Sequence, residues 1–209
     1  MTERALLRYP QLTIEEPSHH RLLLLRARLV DRQRQGLESV LGAALPEKPD
    51  ASAGSAHEML WLAPGQWLIR STGVGRDIAA GIEDACRGAL FHLTDVTDAM
   101  CAVDIDGRRS GDLIAKGCSL DLHPTVFRIG QAKRSLLGQV RVVLHRISAS
   151  RYRTYFDVSV REHVMQWLKV SAEEFRNDPA VDAGPQGQAL AFSGEVDSSP
   201  DHQASVTLP

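Results

Sequence analysis

Asp95 and Asp98, in the run Leu93-Thr94-Asp95-Val96-Thr97-Asp98, put two carboxylates at the end of an expected strand. Such a pair could hold a polar ligand or move protons. Asp is also a common turn and N-cap residue, and no second acid, base or metal ligand accompanies these two. Turn capping is therefore the plainer expectation, and Asp95 and Asp98 remain secondary candidates for ligand contact. The eight histidines offer little more. His19 and His20 are adjacent, so an extended chain points them to opposite faces. No H-x-x-x-H, H-E-x-x-H or clustered Cys/His spacing exists, and His145 sits inside an apolar strand, where a packed histidine is the ordinary reading. G-x-S-x-G is missing, and Cys86 falls on a helical apolar stripe. Ser71-Thr72-Gly73-Val74-Gly75 lacks the third glycine and the lysine of phosphate loops. The residues thus predict no catalytic, cofactor-binding or metal site of the chain's own.

Interface chemistry is better represented. Aromatic residues make up only 5% of the chain, yet Trp61 and Trp67 flank one turn, Ala63-Pro64-Gly65. They read either as core or as interface anchors, a role in which tryptophan is enriched. Arg134 belongs to a set of strand arginines (with Arg128, Arg141 and Arg146) that could meet an acidic partner. Leu190 and Phe192 form an apolar scrap in an otherwise polar C-terminal stretch, and are candidates for docking on a partner.

Composition sets the frame for these residues. The chain has 209 residues, 43% hydrophobic and 24% charged, with a formal net charge of −2, which is ordinary for a soluble globular protein. That small charge supplies no broad field for nucleic acid or an anionic membrane. From Arg176 onward one arginine stands against five acids, so the negative charge is concentrated in the tail. Three scattered cysteines give no disulfide or C-x-x-C pattern. No apolar run is long enough for a signal peptide core or a membrane span. A cytoplasmic protein is expected, with no nucleic acid and no membrane partner.

The elements that would position these residues follow from periodicity. Residues 1–19 read as an extended N-terminal lead-in. His20 to Leu29 is a strand buried on both faces. Asp31 is the expected N-cap of a helix with Leu37, Val40, Leu41, Ala44 and Leu45 as its stripe, stopped by Pro46. A hairpin joins Met59–Leu62 to Gln66–Ser71, and a second helix runs to about Ala89. The second half, about 91–175, begins with a strand at Phe91–Val96 and a second at Met100–Ile105. A short helix ends at Gly117 as C-cap. Three strands follow, the last spanning Arg153–Val160, then a helix from Arg161 to Phe175. The fold class is α+β, with two similar sheet-plus-helix halves (about 20–90 and 91–175), and residues 176–209 are expected to form a disordered acidic tail.

Several segments together resemble a known family. Trp61-Leu62-Ala63-Pro64-Gly65-Gln66-Trp67-Leu68 is similar to the W-L-G-P-D-E-W-L signature of the sarcosine oxidase gamma subunit. Leu93 to Asp98 agrees in order and spacing, as does Lys116-Gly117-Cys118-Ser119-Leu120-Asp121-Leu122-His123-Pro124. So do Leu136-Leu137-Gly138, Val143-Leu144-His145-Arg146 and the Trp167-Leu168 helix. The resemblance covers roughly Leu22 to Phe175. Asp106 to Ser110 and Val158 to Glu162 depart from the family's usual S-G-P-x-A and V-P-R-S.

The resemblance implies a non-catalytic gamma subunit of a heterotetrameric sarcosine oxidase. Such complexes demethylate sarcosine oxidatively to glycine, pass the methyl carbon to tetrahydrofolate and release hydrogen peroxide. It implies alpha, beta and delta subunits as partners, with FAD, FMN, NAD, tetrahydrofolate and zinc held by them rather than by this chain. It also implies a fold like the folate-binding domain of aminomethyltransferases. Two alternatives stay open at this point. One is the equivalent subunit of a complex acting on another N-methylated amino acid, such as N-methylglutamate. The other is a free-standing folate-binding, aminomethyltransferase-like protein using Asp95 or Asp98.

Overall fold

The structure is a computed structural model and describes residues 4–17, 20–48, 52–54, 57–72 and 78–179. In chain order the elements are β1 (Arg4–Tyr9), β2 (Leu12–Glu16), β3 (Arg21–Arg28), α1 (Asp31–Leu41), β4 (Ser52–Ala53), β5 (His57–Ala63), β6 (Gln66–Ser71) and α2 (Ile78–Ala85). They continue with β7 (Leu90–Asp95), β8 (Met100–Asp106), α3 (Ser110–Ala115), β9 (Ala132–Leu137), β10 (Val140–Arg146), β11 (Arg151–Asp157) and α4 (Arg161–Ala172). Two antiparallel sheets result, ordered β1-β2-β8-β11-β10-β9 and β4-β5-β6-β3-β7.

The alternation of each strand builds three apolar layers. Leu23 and Leu25 of β3 share a cluster with Met59, Trp67 and Ile69 of β5 and β6, covered by Leu37 and Leu41 of α1 and Ile78 and Ile82 of α2. Val103, Ile105, Leu144 and Phe156 of the other sheet pack under Leu113 and Ile114 of α3 and Val164 and Leu168 of α4. The remaining inward faces meet each other: Leu22, Leu60, Leu62 and Leu68 lie against Ala102, Ala132, Val143 and Tyr155. The architecture is a four-layer helix–sheet–sheet–helix stack. The leucine run of β3 is buried on both faces because it is a central strand between those layers.

Several sequence expectations need correcting. The N-terminal lead-in is a β1–β2 hairpin whose second strand pairs with β8, so it completes the second sheet. Leu12 and Ile14 are 1% exposed, an alternation hidden among polar neighbours. The Phe91–Val96 strand belongs to the first sheet, pairing with β3, not to the second half. Asp31 lies in the first turn of α1, and the Val30 N–H donates to Gln33 Oε1 at 3.0 Å. That helix ends at Gly42, whose φ of 73° fits a glycine C-cap, before Pro46 is reached. The last strand stops at Asp157, because its carboxylate accepts from the Ser159 N–H (2.8 Å) and turns Val158–Val160 into a 3₁₀ segment.

Candidate functional site

The Trp61–Trp67 hairpin is built by a turn that requires glycine. Gly65 has φ 68°, its carbonyl accepts from the Ala27 N–H at 2.9 Å, and a Cβ there would lie 2.7 Å from the Ala27 oxygen. Trp61 and Trp67 are register partners across β5 and β6. Trp67 is 3% exposed, and its Nε1–H donates to the Pro46 carbonyl at 2.8 Å. A residue so enclosed by its own chain packs in the core of the first sheet. Trp61 is half-buried and borders a groove of about 760 Å³. Arg26, Arg28, Arg34, Leu90 and His92 also line it.

Asp95 is engaged locally. Its Oδ1 accepts from Thr97 Oγ1 (2.6 Å) and the Thr97 N–H (3.0 Å), and its Oδ2 from Arg21 Nε (2.8 Å). The Thr97 hydroxyl bond above all, with Arg21 beside it, holds this carboxyl below its ordinary range despite partial burial. The group is an ionised turn cap in which Thr97 in turn accepts the Leu22 N–H at 3.0 Å. Asp98 is exposed, three residues along the same turn. The turn therefore orients Asp95 away from the role of a proton-accepting base near neutrality. Arg134 is exposed on the edge strand β9, beside a smaller hollow of about 410 Å³ that includes Arg141, Tyr155 and Asp157. Leu190 and Phe192 lie outside the described residues.

Sequence reasoning missed the main polar constellation. Between the sheets, Asp104 is fully buried; it accepts from Arg153 Nε (2.5 Å) and Nη2 (2.8 Å) and from Arg151 Nη2 (2.5 Å). Glu58 lies 3.3 Å from Arg153 Nη1 and 3.6 Å from Arg70 Nη1, and Glu15 lies 3.3 Å from Arg151. Three carboxylates thus face three guanidinium groups. Burial alone would raise the Asp104 carboxyl, but the hydrogen bonds and charges of Arg153 and Arg151 hold it below its usual range. His145, 6% exposed beside this cluster, is pushed down to about 4, mostly by burial. Tyr155, whose hydroxyl reaches Glu58 at 3.4 Å, is raised by burial. The arrangement is charge-balanced and ties one sheet to the other; each acid is consumed by an arginine. Alternation did place Asp104 with Ala102, opposite Val103 and Ile105. Only the second sheet makes that face an interior. Among the described residues no group of three His, Cys, Asp or Glu is placed to hold a metal ion, and no helix is long and apolar enough to cross a membrane.

Comparison with known proteins fits this geometry. The family model described as "Sarcosine oxidase, gamma subunit family" matches residues 33–174. The chain belongs to the sarcosine oxidase gamma subunit family. It is 26% identical over 147 residues to the sarcosine oxidase subunit gamma of Corynebacterium sp. (strain P-1), covering 69% of this chain and 72% of that one. Against the Arthrobacter sp. subunit gamma it is 28% identical over 141 residues, 66% and 69% of the two chains. In structure it is similar to a chain of the heterotetrameric sarcosine oxidase from Corynebacterium sp. U-96, with TM-score 0.76 and 23% identity over 84% of this chain and 90% of that one. Aminomethyltransferase T of the glycine cleavage system from Bartonella henselae shares the fold at TM-score 0.58 and 14% identity, over 77% of this chain and 46% of that one.

In this family member the Lys116–Pro124 run is structural. Lys116 Nζ sits 2.8 Å from Glu174 Oε1, Cys118 Sγ lies 3.3 Å from Ser135 Oγ, and the Asp121 carboxylate accepts the His123 N–H at 2.8 Å. The sequence places Gly117 at the C-cap of α3. Instead Lys116 is the cap, and Gly117 is there because a side chain would overlap Trp167 of α4.

Proposed function

We propose that this chain is the gamma subunit of a heterotetrameric sarcosine oxidase and contributes fold and contact surface, with the reacting groups and cofactors held by its partner subunits. The observation that carries the reading is the family match across residues 33–174. The local chemistry agrees with it, since Asp95 is spent on a turn and Asp104, Glu58 and Glu15 on arginines. The assembly would demethylate sarcosine oxidatively to glycine, pass the methyl carbon to tetrahydrofolate and release hydrogen peroxide. FAD, FMN, NAD, tetrahydrofolate and zinc would belong to alpha, beta and delta partners in the cytoplasm.

The test is co-expression with the genes that neighbour its own, followed by purification on a tag carried by this chain. Large subunits should travel with it, the complex should form peroxide from sarcosine, and the chain by itself should form none. Peroxide from the isolated chain would overturn the reading. A complex active on N-methylglutamate but not on sarcosine moves the chain to the sister assembly. For the aminomethyltransferase-like alternative, tetrahydrofolate at a hundred times its dissociation constant would stabilise the isolated chain by about 2.7 kcal/mol. An unchanged Tm sets that alternative aside.

A further inference from the structure

The groove beside Trp61 brings together two features that the fold itself does not use. Its floor is apolar: Trp61 and Phe91 are half-buried, and Leu90 is 73% exposed, more than any other large hydrophobic side chain among the described residues. Leu90 stands on the strand face of Arg28, its register partner, and Phe91 and Trp61 on the face turned to the helices, so both sides of this sheet end leave apolar area open for a partner. The rim is cationic. Arg26 and Arg28 alternate on one face of β3, and both are exposed. Arg34 is neutralised by Glu47 at 2.5 Å, whereas Arg26 and Arg28 form no ion pair among the described residues. Two positive charges therefore stand beside Leu90 with no acidic partner among the described residues.

The backbone adds a third element. β7 pairs with β3 on one side and is the last strand of its sheet on the other. The groove lies at the beginning of that edge, at Leu90 to His92, where main-chain groups are placed to pair with an added extended segment. We propose that this groove docks an acidic, extended segment of another subunit of the assembly. Because an extended segment alternates its side chains, its carboxylates would meet Arg26 and Arg28 beside Leu90 on one face, and its apolar side chains would cover Phe91 and the Trp61 indole on the other. The proposal rests on the subunit reading above and names the surface and the chemistry of the contact.

The experiment uses the full chain and the subunits encoded beside it, and measures their dissociation constant at about 0.05 M and 0.5 M salt, a range over which exposed charge pairs are increasingly screened. Trp61→Ala should weaken binding about 30-fold, as loss of an interface anchor does. Leu90→Asp, at a site too exposed to matter for folding, should weaken it at least about tenfold while the Tm of the free chain stays unchanged. Arg26→Glu with Arg28→Glu should weaken it similarly at low salt and remove most of the salt dependence. Val170→Glu, on the exposed face of α4 over the other sheet, is the control and should leave binding intact. Normal assembly of the Leu90 and arginine variants would overturn the groove while leaving the subunit reading in place. Equal weakening by Val170→Glu would overturn it as well. Tighter binding after removal of residues 180–209 would assign the groove to the chain's own C-terminal segment instead. If the unaltered chain fails to bind those subunits, the subunit reading falls and the groove falls with it.

Discussion

Gly117 lies directly against Trp167, so closely that the fold admits no side chain between them. A Cβ on Gly117 would overlap the six-membered ring of the indole and come within 2.8 Å of the Gly138 nitrogen; one on Gly138 would sit 3.0 Å from Trp167 Cγ. Gly138 also needs its φ of 54° for the β9–β10 turn. Three separate sequence features, K-G-C, L-L-G and W-L, are one packing event. Gly117→Ala should therefore destabilise by about 1–3 kcal/mol through overpacking, lowering Tm by roughly 2–12 °C for a chain of this size. Combining it with Trp167→Leu should recover part of that loss. A neutral Gly117→Ala, or strict additivity in the double variant, would show that the contact is slack.

Trp67 separates core from interface. Its ring is enclosed with Leu25, Met59 and Ile82, and its N–H is satisfied by the Pro46 carbonyl. Trp67→Ala should destabilise the isolated chain by about 3–5 kcal/mol, on the order of 10 °C in Tm. Trp67→Phe keeps most of the volume and leaves the Pro46 oxygen unpaired, a loss of about 1–3 kcal/mol. Partner binding, corrected for the fraction folded, should not change in Trp67→Phe. Full stability with lost partner binding would return Trp67 to the interface.

The element types were legible where periodicity was unopposed: α1 from Leu37, Val40 and Leu41, α4 from Val164 and Leu168, the hairpin from Ala63-Pro64-Gly65. Partnership between elements was not. Nothing in Leu12-Thr13-Ile14 says that it pairs with β8 ninety residues later, because a strand's register is set by the sheet it joins. The same applies to the polar site. Arg151 and Arg153 alternate with Tyr152 and Thr154 just as solvent-facing residues would. Arg153 is interior, and Arg151 half-buried, only because a second sheet covers that face. The Trp61 groove was half visible, as a tryptophan pair of which one member turned inward.

Arg146 holds the family's motif loop in place. Its guanidinium donates to the carbonyls of Phe127 (2.6 Å), Leu122 (3.2 Å), Ala149 (3.2 Å) and Ser148 (3.3 Å), and it is 4% exposed. Four carbonyls on two loops share one fork of donors, a geometry that lysine lacks. Arg146→Met should fill the stem volume but leave those acceptors without a donor. The loss should be several kcal/mol at most, since each buried orphan costs about 1–3 kcal/mol and water can reach some of them. Hydrogen exchange should speed up across residues 118–131 before the rest of the domain responds. Protection unchanged in that loop would mean that its packing, through Phe127, suffices without Arg146.

Acid should lower the stability of the chain over two separable ranges of pH, because His145 and Asp104 titrate in different ones. Burial pushes His145 down to about 4, with Glu58 and Asp104 raising it and Arg153 and Arg70 lowering it. The unfolded chain's histidine takes its proton near 6.5. Above 6.5 neither state is protonated at this position and stability is unaffected. Between 6.5 and about 4 the unfolded chain binds a proton that the folded chain refuses, so stability falls as pH falls, by about 3 kcal/mol in total. Asp104 has the opposite displacement relative to its charged form. Its carboxyl is held below the usual range, so its contribution is complete above the ordinary carboxylate pKa of about 3.9 and is lost only as pH falls through the lower folded value. Urea midpoints measured from pH 7.5 to 3 should therefore slope downward first through His145. In His145→Gln the slope between 6.5 and 4 should flatten by about that amount, while the loss below 4 persists. Asp104→Asn should behave differently again, losing about 3–5 kcal/mol already at neutral pH by stranding Arg153 in the interior. An unchanged slope in His145→Gln would mean that His145 takes up its proton in the folded state, with Glu58 and Asp104 close enough to stabilise it.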